Sequence, residues 1–141
     1  METPLRKDDE TPLKGIRPNI VQSIRAFRVP ELQDAATKLN QHFLYANLGN
    51  AQSKQDVLDM IAAQYTFPAH FGKNFDALYD CMTDLVHKSG SQPGFIVLLE
   101  QIPANAKFDK EAREQLLDIF RDAADYWADR KIPFRCFYSF L

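Results

Sequence analysis

Three aspartates, Asp76, Asp80 and Asp84, recur every four residues in Phe75-Asp-Ala-Leu-Tyr-Asp-Cys-Met-Thr-Asp84. At 100° per residue that spacing puts them in one narrow row along a helix. Phe75, Leu78, Met82, Leu85 and Val86 fall on the opposite side and read as its core face. Thr83 and His87 join the acidic row, and Tyr79 flanks it. Like charges at i, i+4 weaken a helix by roughly 0.2–0.5 kcal/mol per pair, and no Lys or Arg interrupts this row. One chemistry that suits it is charge-assisted pairing with a cationic protein surface. Another is ligation of a divalent ion by Asp80, Asp84 and His87, as in a small metal-assisted hydrolase. The polar side of an amphipathic helix is also commonly just solvated, and periodicity alone leaves that reading open.

A second row strengthens the case for a charged surface. Asp118, Asp122, Asp125 and Asp129 stand at i, i+4, i+7 and i+11, with Arg121 beside them to offset part of the repulsion. Two such helices lying side by side would focus a negative potential that steers a cationic partner. Signs of catalysis are weaker. No HExxH or Cys/His cluster accompanies the acids, and the chain has no Walker A loop and no GxGxxG. Cys81 has no Cys-His signature around it, and His42 and His70 stand alone. The chain is therefore read as a binding protein rather than an enzyme, with no metal or other cofactor.

These rows need elements to hold them. Residues 1–18 mix three prolines with charges of both signs and read as a flexible tail. A strand is expected over Ile20–Val29, then a helix opened by Pro30 with Leu32, Ala35, Ala36 and Leu39 on its buried stripe. Phe43–Leu48 follows as a second strand. Ser53 and Asn74 suit the caps of two helices, the second running from Phe75 to about Lys88. Phe95–Leu99, apolar at every position, reads as a central strand covered on both faces. Asp109 caps a long helix to about Arg130, and Phe134–Phe140 closes the chain as a strand. Strands alternating with helices predict a single α/β domain with a small, mostly parallel sheet of about four strands packed with helices.

Composition sets the outer bounds. A net charge of −2 over 141 residues gives no global drive toward nucleic acid. No apolar run approaches the roughly 20 residues that cross a bilayer, and the charged opening Met1–Glu10 does not read as a signal peptide. Cys81 and Cys136 are expected as reduced thiols, in a cytoplasmic protein that is monomeric when free.

The stretch from Phe67 to Asp84 resembles the binding loop and second helix of the barstar family of ribonuclease inhibitors. Pro68, Gly72, Asn74, Asp76, Ala77, Leu78 and Asp80 carry the resemblance in one ungapped register. Phe120-Arg121-Asp122-Ala123 is similar to a second landmark of the family, where an acid follows Phe-Arg. The likeness spans residues 43–141, so 19–42 would be an added βα unit that the short inhibitor lacks. It implies that the helix and its preceding loop enter a nuclease active site, with carboxylates standing where RNA phosphates would lie. On this reading Asp76 and Asp80 match the two helix carboxylates, with Asp84 further along the same row, and Asp122 matches the acid from the later helix. Tyr79 falls at an aromatic position, Gly72 at the loop glycine, and Asn74 at the start of the helix. His70 stands in place of a tyrosine, Lys73 in place of an acidic residue, and Leu85 in place of a tryptophan. The implied partner is a basic ribonuclease of the barnase type, blocked to protect the producing cell. A protein-interaction module for a different basic partner is the alternative on the same fold.

Overall fold

Five consecutive apolar residues cannot hide on one face of a pleated strand, so Phe95–Leu99 requires cover on both sides. The computed structural model, which describes residues 13, 16–25, 27–67, 74–84 and 93–141, supplies it. The described elements run β1 (Ile20–Ser23), α1 (Val29–Leu39), β2 (His42–Asn47), α2 (Lys54–Gln64), α3 (Phe75–Met82), β3 (Phe95–Ile102), α4 (Lys110–Asp129) and β4 (Phe134–Phe140). The four strands form one all-parallel sheet in the order β1-β4-β3-β2. Phe95 through Leu99 are buried in its interior, as the unbroken apolar run predicts.

Strand order decides where the helices go. The chain crosses from β1 at one edge to β2 at the other, then steps back through β3 to β4. Parallel crossovers are nearly always right-handed, so reversing the direction of travel moves the connecting helix to the opposite face. The two cores divide accordingly. Phe95, Val97 and Leu99 pack with Leu44, Ala46, Phe134 and Cys136 against α2, α3 and α4. Ile96, Leu98 and Phe137 pack against Leu32, Ala35 and Ala36 of α1, with Phe43 and Tyr45 beside them.

Local chemistry fixes the helix starts. Ser53 Oγ accepts from the Asp56 N–H at 3.2 Å, and Asp109 Oδ1 accepts from the Ala112 N–H at 3.0 Å. Such caps satisfy one of the otherwise orphaned donors of a first turn. At the end of the β2 edge one residue is paired by a side chain: Gln64 Oε1 accepts from the Asn47 N–H at 2.8 Å, and its Nε2 donates to the Asn47 carbonyl at 3.0 Å. The Tyr65 hydroxyl, buried beneath the same corner, donates to the Leu98 carbonyl at 2.8 Å.

Several boundaries differ from the sequence expectation. The first strand stops at Ser23 instead of reaching Val29, because Arg25 turns into the left-handed region (φ 48°) and the Phe27 N–H bonds back to the Ile24 carbonyl. Val29 then opens α1, with Pro30 in its first turn. Within the stretch read as tail, Leu13 is fully buried and Ile16 packs beside it in the α1-side core. The Ile16 carbonyl also accepts from Nη2 of Arg135, a guanidinium only 4% exposed. Packing thus begins before residue 19; residues 1–12, 14 and 15 lie outside the described residues.

Candidate protein-binding face

Helix α3 is short, and its sequence says why. Asn74 begins it, its Oδ1 accepting from the Ala77 N–H at 2.7 Å. Leu78 and Met82 are fully buried, while Phe75, Ala77 and Cys81 pack at the margin of the core. The helix ends at Met82 rather than near Lys88. Thr83 Oγ1 donates to the carbonyls of Tyr79 at 2.9 Å and Asp80 at 3.2 Å, and the Asp84 N–H bonds three residues back to Cys81. A side chain that takes up the last carbonyls, with a tightened final turn, stops a helix where the periodicity alone would continue it.

Helix α4 lies alongside. Its stripe of Leu116, Leu117, Phe120, Ala123, Ala124 and Trp127 is buried on the sheet. The Trp127 indole Nε1–H donates to the Met82 carbonyl at 2.9 Å, joining the two helices at the end of α3. Between them lies a shallow hollow of about 340 Å³ lined by Asp76, Tyr79 and Asp80 from α3 and by Ile119 and Asp122 from α4. The two aspartate rows therefore meet, and three carboxylates from two helices surround one depression. Asp76, Asp80 and Asp122 are exposed, while Tyr79 and Ile119 are half-buried and form the less polar part of its lining.

Among the described residues, the cations of the neighbouring elements have other partners. Arg121 reaches Asp118 at 2.8 Å and Glu114 at 3.5 Å; partial burial works to lower its pKa, and the two acids together outweigh that and raise it. Lys54 Nζ stands 4.2 Å from the centre of the Phe75 ring, and the Arg130 guanidinium 3.5 Å from that of Tyr126. Among the described residues no Lys, Arg or His forms an ion pair with Asp76, Asp80 or Asp122.

Not every expected residue belongs to the hollow. Asp84 falls beyond the end of α3 and is absent from the lining. Asn74 serves as the helix cap, exposed at the start of α3. His70 and Gly72 lie outside the described residues, as do Lys73, Leu85 and His87. Ile119 was not anticipated; its position three residues before Asp122, at the margin of the apolar stripe, was the available signal. No group of three His, Cys, Asp or Glu side chains among the described residues converges as a metal site.

A single parallel α/β domain, with α1 on one sheet face and α2, α3 and α4 on the other, carries this acidic hollow between α3 and α4. The family profile described as Barstar (barnase inhibitor) matches residues 41–139. The chain belongs to the barstar family. A search of curated proteins returned no match to it. The family match starts just before β2 and ends within β4, so it contains both helices of the hollow and excludes β1 and α1.

Proposed function

We propose that the protein inhibits a basic ribonuclease of the barnase kind by seating the α3–α4 hollow against its active site. The observation that carries this reading is the meeting of Asp76, Asp80 and Asp122 around one depression, in a chain whose family is that of the barnase inhibitor. A ribonuclease cleft is built to hold phosphates and so concentrates Arg, Lys and His donors. Three carboxylates at one spot offer such donors the charge they normally find on RNA, with Tyr79 and Ile119 supplying contact area at the lining. The protein then acts as a binding partner and not as an enzyme, in the cytoplasm, where it protects its own cell from the nuclease.

Inhibition of barnase and related ribonucleases at low and at high salt tests the reading. Association driven by opposite charges weakens as salt screens the field. Inhibition that is strong at low salt and reduced at high salt supports the proposal. No inhibition of any such nuclease at either salt would leave the family relationship as one of fold alone.

A further inference from the structure

The segment that precedes the family-matched region packs Val21 against the core that holds the binding helix, and one side chain ties it to that helix by hydrogen bonding. Asn19 Nδ2 donates two hydrogen bonds, to the Ala124 carbonyl of α4 at 3.1 Å and to the Ile132 carbonyl at 3.0 Å. Its backbone N–H donates a third, to the Phe134 carbonyl at 2.9 Å. Two carbonyl acceptors use both protons of one amide nitrogen, so aspartate could not replace this residue without facing oxygen with oxygen. The backbone of Asn19 is left-handed (φ 63°), a conformation that asparagine and glycine enter more easily than other residues.

Helix α4 has few directional ties to other elements. Its buried stripe is apolar, and apolar burial holds a helix against a sheet without strongly fixing its position along its axis. Among the described residues, side-chain hydrogen bonds join the body of α4 to another element at two points. These are the bond from Asn19 to Ala124 and the bond from Trp127 to the Met82 carbonyl of α3. The two lie three residues apart and flank the end of the helix that follows Asp122. We infer that Asn19 is a positioning residue for the acidic face: it sets where α4 stands and so fixes Asp122 relative to Asp76 and Asp80. Part of the added N-terminal unit thus braces the face that the family core presents. Only the binding arm of the test below rests on the proposed ribonuclease reading.

The test uses the full chain and the variants Asn19→Gly and Asn19→Asp. Glycine keeps the left-handed backbone and removes only the donors, while aspartate reverses their polarity. Amide hydrogen exchange read by NMR should show protection in α3 and in α4 after Asp118 falling about tenfold in Asn19→Gly, the factor set by about 1.4 kcal/mol. Protection in β2, β3 and α2 should change less than about twofold. In Asn19→Asp the same segments should lose more. A uniform loss across every element would make Asn19 an ordinary contributor to stability, and unchanged protection in α4 would mean that it positions nothing; either result overturns the inference. Should Asn19→Asp fail to fold, Asn19→Gly decides alone. In the binding arm, Asn19→Gly should weaken barnase binding about tenfold. If the unaltered protein does not bind barnase, the ribonuclease reading fails while the exchange result still stands.

Discussion

The indole of Trp127 in α4 donates its N–H to the carbonyl of Met82, the last residue of α3, at 2.9 Å. Both residues are buried, and the Trp127 ring lies 4.9 Å from the Phe95 ring of the central strand. One side chain therefore connects the sheet, α4 and the end of α3. The acidic hollow exists because these two helices are held side by side.

Trp127→Phe should retain most of the packing and remove the hydrogen bond, leaving a buried carbonyl without its donor. Such a loss costs about 1–3 kcal/mol. Urea unfolding followed by circular dichroism should show a lower midpoint with an unchanged slope. A change in slope would instead indicate a loosened native or denatured state.

The two thiols should behave differently. Cys136 is fully buried in β4, and burial pushes its thiol far above the ordinary range, whereas Cys81 is half-buried at the edge of α3. The thiolate is the reactive form. A thiol reagent at neutral pH should therefore modify Cys81 in the folded protein and reach Cys136 only as the protein unfolds. Mass spectrometry of the labelled peptides reads the order.

His42 gives stability a pH dependence. Burial at the start of β2, edge-on to Phe95, lowers its pKa below the ordinary value of about 6.5. The folded state thus favours neutral imidazole, and the unfolded chain takes up the proton first. This contribution is complete above about pH 6.5 and is lost as pH falls toward the lower, folded value. Urea midpoints compared at about pH 7.5 and about pH 5.5 should drop on the acid side, and His42→Gln should flatten the difference.

Much of this arrangement was legible in the chain, for physical reasons that particular residues illustrate. Five apolar residues in a row at Phe95 admit little but a strand covered twice. Ser53, Asn74 and Asp109 each bond the amide their positions suggest. Helical periodicity orders each aspartate row, and the resemblance to the barstar family singles out Asp76, Asp80 and Asp122 within them. Their meeting is tertiary, set by the packing of α3 on α4, and no spacing reports it. The misses are local competitions that periodicity ignores. Thr83 takes up helix carbonyls and ends α3 before Asp84. Arg25 bends the backbone after Ser23. Leu13 lies among prolines and charges, yet it is buried against a sheet face that only the folded chain creates.

The central claim concerns three carboxylates, and their removal one at a time tests it. Asp76→Ala, Asp80→Ala and Asp122→Ala should be compared with Asp34→Ala, which removes an exposed acid paired with Lys38 on α1, across the sheet from the hollow. The measurement is the dissociation rate and Kd of each variant with an inhibited barnase-type ribonuclease, at about 20 mM and about 500 mM salt. Each hollow variant should raise Kd tenfold or more, about 1.4 kcal/mol or above, mostly through faster dissociation, with Asp80→Ala the largest. Asp34→Ala should change it less than about twofold. Equal effects from all four, or none from the three hollow variants, would contradict the account and place the nuclease-binding surface elsewhere on the molecule.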